Sequence, residues 1–185
     1  MNSFVRRAIA GATGLATAAG LATFVAAAPA GAAPSPPAAV RTHDFSALLP
    51  WPFVRPGSQG ERVFAIQYLL QAKGLNVRAD GVYGPRTTAA VRQFQRSAHL
   101  NPSGNVGPST WSRITVTLRR GNRGSAVRAL QHNLKFAYGF RFMRVDGFYG
   151  NETVAAVRAF QRGSRLSVNG IAGPRTWRTI IFFER

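Results

Sequence analysis

Asp80-Gly81-Val82-Tyr83-Gly84 occurs a second time as Asp146-Gly147-Phe148-Tyr149-Gly150. Each copy is followed by a Thr (Thr87, Thr153), an Ala-Val pair (Ala90-Val91, Ala156-Val157) and a Phe-Gln pair (Phe94-Gln95, Phe160-Gln161), all 66 residues apart. Upstream the offset is 64, pairing Gly57 with Gly121, Gly60 with Gly124, Val63 with Val127 and Gln67 with Gln131. The second copy has therefore gained two residues between the segment ending at Gln71 and the loop. A pattern that keeps its register through one small insertion is a single folding unit used twice.

Outward from the loop, the periodicity is helical. Val63, Ile66, Gln67 and Leu70 fall at i, i+3, i+4 and i+7, as do Val127, Leu130, Gln131 and Leu134, so each set shares one helix face. Gly74 and Gly139 are the expected stops. A second helix should begin near Pro85, with Val91, Phe94, Gln95 and Ala98 on its inner side, and Val157, Phe160 and Gln161 in the second copy. A third, short helix is expected from Gly107-Pro108-Ser109-Thr110-Trp111 and from Gly173-Pro174-Arg175-Thr176-Trp177. Trp111 with Ile114, and Trp177 with Ile180, would then close each core. Leu49-Pro50-Trp51-Pro52-Phe53-Val54 is too proline-rich for a helix and reads as an extended lead-in, with Trp51 and Phe53 covering the first unit. Arg113-Ile114-Thr115-Val116-Thr117-Leu118 alternates but reads only as a connector that joins the repeats. The expected fold is all-α, two tandem three-helix repeats spanning 49–115 and 116–185.

These residues resemble the peptidoglycan-binding-domain family, the three-helix modules attached to bacterial lytic amidases, peptidases and spore-cortex proteins. The resemblance rests on Gly-x-x-Gly-x-x-Val-x-x-Leu-Gln before the loop, Asp-Gly-x-Tyr-Gly-x-x-Thr-x-x-Ala-Val-x-x-Phe-Gln through it and Gly-Pro-x-Thr-Trp at the end. The repeat from Leu118 to Ile180 carries every element, while the repeat from about Val54 to Ile114 has Ile66 where Leu is usual and Tyr68-Leu69 after Gln67. The resemblance implies non-catalytic binding of bacterial cell-wall peptidoglycan.

The remainder of the chain fits export. Residues 1–32 read as a signal peptide: Arg6 and Arg7, an uncharged run from Ala8 to Ala28, then the small-x-small sites Ala28-Pro29-Ala30 and Ala30-Gly31-Ala32. The run is rich in Ala and Gly, weak for a permanent membrane span. Residues 33–48 form a Pro/Ala-rich linker, and no later stretch is apolar for long enough to cross a bilayer. The expected location is outside the cell or in its wall. Cysteine is absent, which excludes disulfides and thiol chemistry. Net charge is +18, and losing Arg6 and Arg7 leaves +16 because residues 1–32 hold no acid. Such an excess calls for a polyanionic partner: peptidoglycan or another anionic wall polymer, with nucleic acid the electrostatic alternative. No nucleic-acid motif supports that alternative.

The distinctive loops invite a catalytic reading of Asp80 and Asp146, but an Asp before Gly commonly nucleates a turn through backbone N–H groups. Asp80, Gly81, Gly84, Asp146, Gly147 and Gly150 are therefore read as loop builders, with positive φ expected at all four glycines. Gln67, Gln95, Gln131 and Gln161 lie on apolar faces and need internal partners. Tyr83 and Tyr149 either offer a ring to ligand or seat in a small core. Arg86, Arg92, Arg96, Arg158, Arg162 and Arg175 are the cationic candidates for stem-peptide carboxylates or wall phosphates. The six acids are Asp44, Glu61, Asp80, Asp146, Glu152 and Glu184, and no pattern pairs two of them as a glycosidase requires. His43, His99 and His132 lack metal-ligand spacing. No cofactor, metal or catalytic residue is expected, which leaves a small wall hydrolase with a cryptic site as the competing enzymatic reading.

Overall fold

A computed structural model describes residues 49–183, so the signal-peptide and linker readings lie outside the described residues. The chain forms α1 (Glu61–Ala72), α2 (Pro85–Ser97), α3 (Pro108–Ile114), α4 (Ser125–Phe136), α5 (Asn151–Gly163) and α6 (Pro174–Phe182). Extended pairing among the described residues is limited to four isolated antiparallel bridges: Val54 with Val106, Gln59 with Val82, Leu118 with Ala172, and Arg123 with Phe148. The fold is all-α, three helices to each repeat.

Local signals explain the helix ends. Proline opens α2, α3 and α6, where its missing N–H costs nothing. At the end of α1, Gly74 takes φ 80°, Gly74 N donates to Gln71 O and Leu75 N to Leu70 O, the reciprocal pair of a Schellman cap. After α4, Gly139 takes φ 75° and Phe140 N donates to Leu134 O.

Each repeat closes on a tryptophan. Trp111 is fully buried, stacks on Trp51 at 5.8 Å and donates its indole N–H to Pro52 O. Trp177 donates in the same way to Val116 O. Pro52 and Val116 are equivalent positions, so 115–118 is the second repeat's own lead-in, pinned by the Leu118–Ala172 bridge. This corrects its reading as a mere connector. Phe53 is also corrected: it is 66% exposed, its ring lying against Gly107. Alternation at the extended bridge turns Val54, which pairs with Val106, inwards and its neighbour Phe53 outwards.

The two repeats pack through α1 and α4. The expected face of α1 is buried, but so are Ala65 and Leu69 on the opposite side, and in α4 the equivalent Ala129 and Asn133. Beside this second strip the His132 ring stacks on Phe64 at 4.3 Å and touches Tyr68. His132 Nδ1 lies 2.7 Å from Glu61 Oε2, yet the approach is too oblique for an N–H···O bond and neither atom has another partner. Burial dominates both groups: it pushes the imidazole down to about 4 and the Glu61 carboxyl up. Arg62 adds a polar clasp, donating from Nε to Ile181 O and from Nη2 to Phe182 O at the end of α6. Cationic hydrogen bonds to the last carbonyls of a helix also complement its dipole. No helix among the described residues is long and apolar enough to cross a membrane.

Candidate functional site

The loops are built around buried glutamines. Gln67 Nε2 donates to Asp80 Oδ1, Val82 O and Thr87 Oγ1, and its Oε1 accepts from Asp80 N and Gly81 N. Gln131 makes the matching set with Asp146 Oδ1, Phe148 O, Thr153 Oγ1 and Gly147 N. The same wiring recurs at the loops before α3 and α6. Gln95 holds Asn105 O, Thr110 Oγ1 and Gly104 N, while Gln161 holds Ile171 O, Thr176 Oγ1 and Gly170 N. Each loop also begins with a side-chain acceptor for the N–H two residues on: Asp80 for Val82, Ser103 for Asn105, Asp146 for Phe148 and Asn169 for Ile171. The unit is thus repeated four times, two half-units per three-helix repeat. The signal Gly-x-x-Gly-Pro-x-Thr stands in the sequence at Gly81, Gly104 and Gly170, with Asn151 replacing Pro in the fourth case.

Two expectations need correction. Gly81 and Gly147 do take positive φ (73° and 77°), but Gly84 and Gly150 sit at φ −87° with extended backbone, as the residues preceding α2 and α5. A helix entry calls for β-region geometry there, not the left-handed region. Tyr83 and Tyr149 are buried to within 1% of full coverage, donate to Gly104 O and Gly170 O, and present no ring to solvent. Burial raises both phenols above their ordinary range. Alternation in the extended loop turns Tyr inwards and its predecessor outwards, so Val82 and Phe148 are the exposed residues. The Phe148 ring carries the Arg123 guanidinium at 4.1 Å.

A shallow groove lies on each repeat among the described residues, at overlapping positions. Groove one runs from the turn at Pro56 and Gly57, past Val82, the buried Tyr83 and Gly84, to Pro85, Thr88, Ala89 and Arg92 on α2. Groove two is lined by Arg119 and Arg120 of the equivalent turn, by Asn151, Val154, Ala155 and Arg158 on α5, and by Asn169 to Ile171. Of the arginine candidates, Arg92 and Arg158 line the grooves; Arg86, Arg96, Arg162 and Arg175 are exposed and outside both. Arg119 and Arg120 were missed because the turn was read for its glycines alone.

The grooves hold no carboxylate. Asp80 and Asp146 are engaged inside their loops, where the N–H groups of Val82 and Phe148, then Gln67 and Gln131, hold both carboxyls below the usual range. Glu152 accepts from Arg144 N, and Glu61 lies in the α1–α4 contact. The charge facing each groove is positive, and apolar Val82, Ala89, Val154 and Ala155 stand beside it. Such a surface can pair guanidinium with an anionic group while an apolar patch covers a sugar or methyl face.

Comparison with known proteins agrees with this architecture. The family described as "Putative peptidoglycan binding domain" matches residues 59–114 and 123–180. The chain belongs to this peptidoglycan-binding-domain family, which it carries twice. It is 32% identical to a "Probable N-acetylmuramoyl-L-alanine amidase" of Bacillus licheniformis and 45% identical to the N-acetylmuramoyl-L-alanine amidase CwlL of the same species. Each match covers 66% of this chain and 43% of the relative, so the chain spans less than half the length of these relatives. Among solved structures, a peptidoglycan-binding protein from Clostridioides difficile is 36% identical, with TM-score 0.34, over 34% of this chain and 40% of that one.

Proposed function

We propose that the chain is an exported, non-catalytic protein that binds cell-wall peptidoglycan through two grooves, one per repeat. In this reading residues 1–32 direct export, 33–48 are a linker, and 49–115 and 116–185 are the binding units. The single observation that carries it is the recurrence of a groove at equivalent positions, with Arg92 in one and Arg158 in the other and no carboxylate in either. The names of the relatives, wall amidases, support the substrate class. Two modest sites held on one body raise avidity, by about a hundredfold where both can engage. Modulation of wall enzymes would follow from occupying their substrate.

Co-sedimentation with purified sacculi at moderate salt tests the proposal. The chain is expected in the pellet, and the double variant Arg92→Ala/Arg158→Ala largely in the supernatant. A folded wild-type chain that stays in the supernatant would overturn the reading.

A further inference from the structure

The two grooves are not chemically alike. Groove one has Arg92 as its only cationic residue, set among Pro56, Pro85 and Val82. Groove two brings Arg119, Arg120 and Arg158 together. Arg120 stands where the first repeat has Pro56, and Asn151 where it has Pro85. That second exchange returns a backbone N–H to the groove edge, since proline has none. Among the described residues none of the three arginines has an ion-pair partner. Glu152, the nearest acid in sequence, is turned to Arg144 N. Three guanidinium groups lining one groove without a carboxylate favour an anionic group there.

We propose that groove two is an anion-recognition subsite and groove one its less charged, more apolar companion, so the repeats divide recognition between them. The inference rests on the wall-binding reading and adds the ligand class of one groove. The group bound in groove two is a carboxylate or phosphate: the free carboxylates of a stem peptide or the phosphodiesters of a wall polymer supply the same chemistry. Planar guanidinium groups suit either.

NMR shift mapping on the full chain tests this with three probes. These are a disaccharide tetrapeptide with free carboxylates, the same compound fully amidated, and a glycerol-phosphate oligomer. The amides of Arg119, Arg120, Asn151, Arg158 and Ile171 should move with at least one anionic probe. Amidation should weaken that response at least tenfold. The Arg120→Ala/Arg158→Ala variant, checked for fold by its dispersed spectrum, should lose about as much. A stronger response to the peptide than to the oligomer identifies the carboxylate source; the reverse order identifies the phosphate source. Silence of groove two towards both anionic probes, or an equal response to the amidated one, overturns the inference. If the wild-type chain still pellets with sacculi in that event, only the division of labour fails; if it does not pellet, the wall-binding reading fails with it.

Discussion

Gln67 and Asp80 hold each other in two places: Gln67 Nε2 donates to Asp80 Oδ1 over 2.8 Å, and Asp80 N donates back to Gln67 Oε1 over 3.0 Å. One amide thus ties a helix to the loop that starts the next helix. Both of its ends are used, and it is fully buried.

Replacing Gln67 or Gln131 by Leu should therefore be costly despite the gain in hydrophobicity. Loop N–H and C=O groups would be left without partners, at about 1–3 kcal/mol each if they stay dry. A loss of at least about 3 kcal/mol in urea unfolding is expected for either variant. A loss below about 1 kcal/mol would show that water replaces the amide at little cost.

The two glycines of the first loop should respond oppositely. Gly81 has φ 73°, and a Cβ there would run into the Phe64 ring, so Gly81→Ala should destabilise by about 1–3 kcal/mol. Gly84 has φ −87°, open space and no side-chain cap to offer α2. Gly84→Ser should be neutral or stabilise by a few tenths of a kcal/mol, as a hydroxyl N-cap does relative to Gly. Thermal denaturation of the pair decides it.

Acid should weaken the contact between repeats. The His132 imidazole is held at about 4, below its unfolded value of 6.5. The unfolded chain takes up the proton first, so this contribution is complete above 6.5 and is lost as pH falls from 6.5 through 4. Glu61 works the other way: its carboxyl is raised by burial, so its protonation in acid favours the fold. Stability should drop by about 1–2 kcal/mol between neutral pH and about pH 5, and His132→Phe should flatten that slope. An unchanged slope in the variant would assign the loss elsewhere.

Arg62→Met should cost about 1–2 kcal/mol by freeing the carbonyls of Ile181 and Phe182 while keeping much of the stem packing. Hydrogen exchange should quicken first in α6, whose end the guanidinium holds. Equal quickening in α3 would argue against a local clasp.

Much of the architecture was legible because helix-face periodicity and proline starts are local. The offset of 66 residues placed α2 and α5, and Gly-Pro-x-Thr-Trp placed α3 and α6. The inward turn of Tyr83 was not legible from the motif, since it depends on how an extended loop alternates between core and solvent. The second buried face of α1 did have a signal: Phe64-Ala65-Ile66 and Leu69-Leu70 are apolar all round, which a one-sided helix does not require. The asymmetry of the grooves was also written in Pro56 and Arg120, but those positions gain meaning only once the turn and the helix face are brought together.

The seam between the repeats has one further consequence. Thr115 belongs to the first, its N–H and hydroxyl both donating to Trp111 O; Val116 belongs to the second, its carbonyl accepting from Trp177. A protease nick between them would leave each tryptophan its partners and sever only the covalent tether. The product would be a heterodimer of unlike halves held through α1 and α4. Its two halves would then separate on dilution, as the intact chain's repeats cannot.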